Sequence, residues 1–255
     1  MVHIVGAGSG DPELITVRGQ RFLREADVVI YAGSLVNPEL LKLCKPEAEI
    51  YNSAKMMLDE IIHVIVLADK AGKTTVRLHT GDPSIYGAIQ EQMDALTKNG
   101  IEFDITPGVS SFLAAAASLK QEYTLPGITQ TVIITRCSGR TPVPDTESLA
   151  QLAQHRTTLC IFLSVNMLSE IKNELLSAGL EETTPIAVVY KASWPNEEKI
   201  IRGRLNTIEE QVKASNIDRT AMIIVGQCLG ATLEQYRKSN LYSPQFAHMF
   251  RKAES

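Results

Sequence analysis

The feature that most constrains this chain is an alternation of two periods along its first half. Short β-branched runs at 3–5, 28–31, 49–51, 75–79 and 102–105 read as strands, and the amphipathic segments between them, 16–25, 39–44, 57–71 and 86–98, read as helices. Strands joined through helices make crossover connections, so the sheet is mainly parallel and is covered on both faces. Lys98, Asn99 and Gly100 mark a helix stop, with Gly100 suited to a left-handed cap. The small-residue run over 109–119 reads as a helix that lets a neighbour approach closely.

The periodicity fails over 121–128, where Pro126 and Gly127 fall together, and a domain boundary is expected there. A second series follows, with strands at 131–135, 159–163, 186–191, 199–202 and 222–225 and helices at 148–155, 168–177 and 208–214. Trp194, Pro195 and Asn196 read as the turn of an antiparallel hairpin, which predicts a mixed sheet. The chain is therefore expected to form two α/β domains, 1–120 and 121–231, with a polar extension over 232–255 that either docks or is weakly ordered.

A chain of 255 residues can bury a core without staples. Its 25 Lys+Arg against 29 Asp+Glu leave a net charge of −4, which argues against a nucleic-acid partner. No apolar run approaches the roughly 18 residues of a membrane span. The sequence opens on the strand-like MVHIVG with no visible signal peptide, so a cytoplasmic enzyme or binding protein is expected. Cys44, Cys137, Cys160 and Cys228 form no CxxC pair and lie outside metal-ligand spacing of any His, so neither a metal site nor a disulfide framework is expected. Cys160 and Cys228 lie in apolar runs and read as small core residues.

The first strand runs into Gly6-Ala7-Gly8-Ser9-Gly10-Asp11-Pro12. A dinucleotide fingerprint needs its third glycine where Asp11 stands, and a carboxylate there would repel a pyrophosphate at a helix N-terminus. Pro12 also removes an N–H. The loop reads as a tight backbone feature at the carboxyl end of a strand, which is where open α/β sheets bind ligands. An NAD-dependent dehydrogenase built on this loop and a non-catalytic carrier of a small ligand are the alternatives from other classes.

Two further motifs repeat that placement: HTGDPSIYG over 79–87 and PGVSS over 107–111. Together with GAGSGDPELIT at the start, this set resembles the S-adenosylmethionine-dependent tetrapyrrole methylases of cobalamin and sirohaem synthesis, over about residues 1 to 230. The stretches HTGDPSIYGAIQEQM, TQTVIITRCSGRTPVP and VVYKASWPNE resemble the branch that methylates C-11 of precorrin-4 or cobalt-precorrin-4. Methylation of another precorrin or uroporphyrinogen carbon is the alternative within the same fold. The resemblance implies two α/β domains with the active-site cleft between them, S-adenosyl-L-methionine as methyl donor with S-adenosyl-L-homocysteine as product, a polycarboxylate tetrapyrrole substrate, and a homodimer.

Methyl transfer is an in-line displacement at carbon that needs alignment and exclusion of water rather than a metal or a protein nucleophile. By family motif, Gly81, Asp82 and Ile85 fall on the cofactor loop, and Asp82 either lies near the donor or holds the loop by local hydrogen bonds. Ser110 and Ser111 match the pair after the Pro-Gly turn and also suit a helix N-cap. Phe162 and Leu163, Ala192, and Ala221 with Met222 match positions beside the donor, although each apolar residue taken alone also reads as core. A polycarboxylate wants Arg and Lys around it. Arg136 and Arg140, which flank a glycine turn, and Lys191, together with Ser9 and Asp11 of the first loop, are the expected substrate contacts. Arg18, Arg21, Arg24 and Arg77 are further basic candidates, each equally readable as a solvated charge. The sequence departs from the family twice. Ser9 stands where GAGPGDP carries proline, and no carboxylate follows 28–31 where the sirohaem branch has an Asp. Tyr31, Ser34 and Lys55 are left as candidate substrate contacts, and no catalytic base is assigned.

Overall fold

A computed structural model of the chain describes residues 1–232, 234–247 and 249–252. The Ser34 side chain and the rest of the 232–255 extension lie outside that description. The chain forms two compact units, Met1–Ser118 with Val189–Lys199, and Leu119–Val188 with Ile200–Ser255.

The first unit carries β1 (Val2–Gly6), β2 (Val28–Tyr31), β3 (Glu49–Asn52), β4 (Thr75–His79) and β5 (Phe103–Thr106), in the order β3-β2-β4-β1-β5. Every pairing in it is parallel. β1 and β4 are central and wholly buried, as strands covered on both faces must be. One face packs Val2, Ile4, Val28 and Ile30 against α2 (Leu58–Lys70) and α3 (Gln90–Lys98). The other packs Val5, Val29, Val76 and Leu78 against α1 (Val17–Glu25) and a 3-10 turn at Pro38–Leu43. Thr16 caps α1, its hydroxyl accepting from the Gly19 amide at 3.1 Å.

Arg77 interrupts the apolar face of β4 and is only 5% exposed. Its Nε donates to Gln92 Oε1 at 2.9 Å and its Nη1 to the Ile30 carbonyl at 3.0 Å. Burial brings its pKa down to about 10. The arginine is a core hydrogen-bonding post of the first unit.

The second unit carries β6 (Val132–Arg136), β7 (Thr158–Phe162), β8 (Pro185–Tyr190), β9 (Lys199–Arg204) and β10 (Ala221–Val225), in the order β6-β7-β10-β8-β9. β6 runs parallel to β7 and β10 antiparallel to it, so the sheet is mixed. Leu149, Leu159, Ile161, Ile171 and Leu175 are fully buried, from β7 and from α5 (Leu149–Ala153) and α6 (Leu168–Ser177). A last helix, α7 (Ile208–Ala214), precedes β10. Cys160 and Cys228 are buried free thiols, and among the described residues no cluster could hold a metal ion and no helix is long and apolar enough to cross a membrane.

Four elements differ from the sequence reading in ways the backbone explains. The helix expected from residue 86 begins at Gln90, because Tyr86 and Ala88 take left-handed backbone and Gly87 lies against the Pro83 carbonyl in a loop that folds back on itself. The segment expected as a helix over 39–44 is a 3-10 turn opened by Asn37, whose side chain accepts from the Glu39 amide. Strands β7 and β8 stop one residue early, at Phe162 and Tyr190, because Leu163 and Lys191 are left-handed.

Candidate functional site

In the first unit the carboxyl ends of three neighbouring strands stand side by side, with Gly6 in register with His79 and Val5 with Thr106. Each strand leads into one of the three glycine motifs. Their backbones meet so closely that a Cβ on Gly108 would lie 2.1 Å from the Gly81 carbonyl oxygen, and one on Gly6 would lie 2.6 Å from Gly108 Cα. Gly8 and Gly81 add a two-residue antiparallel bridge, with N–H to carbonyl distances of 3.3 and 2.8 Å. A side chain at Gly6 or Gly108 would push these loops apart, whereas Gly81 has room for a Cβ but holds left-handed backbone at φ 59°.

Asp82 ties two of these loops. One carboxylate oxygen accepts from the Gly108 amide at 2.9 Å, and the other from the Ser84 amide at 2.9 Å and from the Ser84 hydroxyl. Burial works to raise its pKa, but these hydrogen bonds outweigh it and hold the group below the ordinary carboxylate value. Ser110 is buried and directly precedes α4 (Ser111–Leu119), its carbonyl accepting from the Leu113 and Ala114 amides at 3.0 and 3.2 Å. The Gly81 Cβ position faces Ser110 Cα at 3.5 Å, so Gly81, Asp82, Ser110 and Ser111 belong to one surface of the first unit. Ile85 stands half-buried on the same loop.

The first glycine loop is braced internally. Its Gly8 amide goes to Gly81, the Asp11 amide to Ser193 Oγ at 3.2 Å, the Glu13 amide to the Asp11 carboxylate at 2.9 Å, and the Leu14 amide to the Asp11 carbonyl at 3.0 Å. Asn37 Nδ2 donates to the Gly10 carbonyl at 2.8 Å, and Ser9 Oγ pairs with Ser193 Oγ at 2.8 Å. With those amides engaged and Pro12 lacking one, the loop is no pyrophosphate cradle. Asn37, Ser193 and Trp194 were not legible as loop supports. The sequence signal was only an Asn-Pro pair and a Trp-Pro turn, both ordinary turn chemistry. Ala192 is buried beside them.

In the second unit Arg136 pairs with Phe162 in the parallel β6–β7 register, and the antiparallel β7–β10 register places Met222 opposite Phe162, one step beyond Ile223–Ile161. Arg136, Phe162, Met222 and the neighbouring Leu163 and Ala221 thus share one end of the mixed sheet. Leu163 is 65% exposed and left-handed at φ 55°. This is an exposed apolar side chain in a conformation that costs an L-residue about 1–2 kcal/mol. The non-glycine residues with positive φ fall into two groups. Lys120, Arg156 and Asn216 follow helix ends, whereas Tyr86, Ala88, Leu163, Lys191, Ser193, Asn196 and Thr220 lie in or beside the segments expected to meet the donor.

The basic candidates differ in what they already hold. The Arg136 guanidinium donates to the Thr141 and Pro142 carbonyls at 2.8 Å each and shapes the turn that follows β6. Arg140 is exposed on that turn. Lys191 pairs with the Glu197 carboxylate, and its ammonium lies 4.6 Å from the Trp194 ring centroid and 5.8 Å from that of Tyr190. Ser9 and Asp11 stay on the braced loop of the first unit.

Residues 1–209 match the family model for tetrapyrrole (corrin/porphyrin) methylases. A cobalt-precorrin-4 C(11)-methyltransferase from Methanocaldococcus jannaschii is 58% identical over 252 residues, 99% of this chain and 96% of that one. A solved cobalt precorrin-4 methyltransferase superposes with a TM-score of 0.88 at 46% identity, covering 89% of this chain and 95% of the other. The uroporphyrin-III C-methyl transferase of Thermus thermophilus, solved in complex with S-adenosyl homocysteine, superposes with a TM-score of 0.74 at 30% identity, covering 89% and 92%.

Proposed function

Because the chain belongs to the tetrapyrrole (corrin/porphyrin) methylase family, we propose that it transfers the methyl group of S-adenosyl-L-methionine to C-11 of cobalt-precorrin-4 in cobalamin biosynthesis. The observation that carries this reading is 58% identity to the Methanocaldococcus jannaschii C(11)-methyltransferase over nearly the full length of both chains. The cobalt-loaded form of the substrate is favoured because that relative and the solved methyltransferase with the higher TM-score are both named for it.

S-adenosyl-L-methionine, when bound, supplies an electrophilic methyl on a sulfonium. The residues fit such a group. The first loop offers no phosphate cradle, the left-handed Gly81 turn sets bare backbone against the start of α4, and Leu163 presents an exposed apolar side chain. Gly81, Asp82, Ile85, Ser110, Ser111 and Ala192 from the first unit, and Phe162, Leu163, Ala221 and Met222 from the second, are proposed to hold it. Asp82 acts there through the loop, since both of its oxygens are occupied by the loop's own donors. Ser9, Asp11, Arg136, Arg140 and Lys191 are proposed to meet the tetrapyrrole. The guanidinium of Arg140 is the group best placed to pair with a substrate carboxylate, because it is exposed while Arg136 is braced against carbonyls. Catalysis asks the protein to align donor and carbon and to keep water out, which rigid loops do better than mobile ones. The enzyme is proposed to act as a homodimer in the cytoplasm.

Incubation with donor labelled in the methyl group, against cobalt-loaded and metal-free precorrin-4 side by side, tests this. One methyl gained on the cobalt-loaded macrocycle is expected. Preferential turnover of the metal-free form would move the protein to the other substrate, and no methyl gained on either would overturn the assignment. Titration calorimetry should show S-adenosyl-L-homocysteine binding and no NAD binding.

A further inference from the structure

The turn over 191–198 does more in the first unit than link two strands. Glu198 is half-buried, and one of its oxygens accepts two hydrogen bonds, from the Ser118 hydroxyl at the end of α4 and from the Ser193 amide, each at 2.6 Å. Ser193 is left-handed at φ 65°, so its amide and hydroxyl point where an ordinary serine would not send them. From there Ser193 Oγ meets both Ser9 Oγ and the Asp11 amide. The next residue, Trp194, is buried flat against Gly10, where a Cβ would lie 2.0 Å from its Cδ1 atom. The Lys191–Glu197 pair and the Lys191 ammonium over Trp194 brace the turn from behind.

We infer that Glu198 is a positioning residue for the methyl transfer, acting through Ser193 to hold the 8–11 loop in the shape that receives the tetrapyrrole. This rests on the reading above that Ser9 and Asp11 face that substrate. Glu198 itself touches loop supports, not reactants. What it supplies is an acceptor at one point in space, fixed from one side by α4 and delivering a strained serine to the other. A charge is not required for that. An amide oxygen placed at the same point still accepts both hydrogen bonds, each weaker than to a carboxylate, whereas a methyl group accepts neither.

The test compares Glu198→Ala, Glu198→Gln and Ser193→Gly with the wild type in steady-state assays on cobalt-precorrin-4. Ser193→Gly keeps the left-handed backbone without strain and removes the side chain with its two hydrogen bonds, so its melting temperature should stay within a few degrees of the wild type. Glu198→Ala and Ser193→Gly should each raise the tetrapyrrole KM about tenfold while the affinity for S-adenosyl-L-homocysteine stays within about twofold. Glu198→Gln should restore the wild-type KM. A wild-type KM in Glu198→Ala overturns the inference, and so does a Glu198→Gln variant as impaired as Glu198→Ala, since that would mean the charge and not the acceptor matters. A wild-type protein that methylates no precorrin substrate overturns the functional reading itself, an outcome visible before any variant is measured.

Discussion

The two units solve the same local problem, turning the chain sharply at the ends of strands, with different materials. In the first unit the loops after β1, β4 and β5 cross at glycines: Gly6 and Gly108 leave no room for a Cβ, and Gly81 is left-handed at φ 59°. In the second unit the strand ends at Phe162 and Ala221 are turned by Leu163 and Thr220, ordinary side chains held in left-handed backbone. Glycine makes a turn possible without strain, whereas a leucine at φ 55° must be held by its surroundings. The Ser164 hydroxyl is part of that hold, since it donates to the Phe162 carbonyl at 2.7 Å and accepts from the Cys137 amide at 2.9 Å. The first unit thus lets its three glycine loops cross by the absence of side chains, with strained residues such as Ser193 kept outside that crossing, and the second keeps a side chain on display at the cost of strain.

That contrast is broken most severely by Gly108→Ala. Its methyl would overlap the Gly81 carbonyl, and the loss of stability should be about 3 kcal/mol, with methyl transfer abolished. Urea unfolding and single-turnover assays read both, and a variant as stable as the wild type would show that the knot can open freely.

Acid should expose the second difference. His79 lies 4% exposed at the end of β4, and its Nε2 has no hydrogen-bond partner. Burial first, and the Arg77 charge second, hold its pKa down to about 3 from 6.5. The unfolded chain takes up this proton below 6.5 and the folded one does not until about 3, so stability falls as pH drops through that window. The loss should be about 2 kcal/mol between pH 6.5 and pH 5. Urea melts across that range should show a shallower slope in His79→Asn, and equal slopes would contradict a buried neutral imidazole.

For the second unit the informative change is Leu163→Gly. Relief of left-handed strain and the added chain entropy of glycine should cancel to within about 1 kcal/mol. The affinity for S-adenosyl-L-homocysteine should nevertheless fall about tenfold as an apolar contact is removed. Calorimetry that finds unchanged affinity would return Leu163 to the surface residues without a role. The smallest effect is expected at Gly72→Ala, where φ is +71° but nothing lies within 4 Å, so backbone strain alone should cost about 1 kcal/mol with activity intact.

The same contrast explains what the sequence could and could not disclose. The parallel sheet was legible because β1, β2 and β4 are short runs rich in β-branched residues between amphipathic helices. The glycine loops were legible because a glycine announces close approach in its own letter. The left-handed stretch at Tyr86 and Ala88 was not, because the chain folds back on itself between Pro83 and Gly87 over residues that otherwise suit a helix. Leu163 was placed beside the donor by family resemblance alone, since nothing in its own run distinguishes it from core. Arg77 sits in a motif strand and carries the charge a polycarboxylate wants, yet it is buried on Gln92 and the Ile30 carbonyl, and only the fold shows that. Ser193 and Glu198 act across 184 and 80 residues of sequence to reach Ser9 and Ser118, a separation at which local pattern carries no signal.

The central claim is the carbon that is methylated. Product formed with carbon-13-labelled S-adenosyl-L-methionine and cobalt-precorrin-4 should show, in isotope-edited NMR, a single labelled methyl correlated to C-11. Label on any other carbon, or no labelled macrocycle from a protein that binds S-adenosyl-L-homocysteine, would contradict the account.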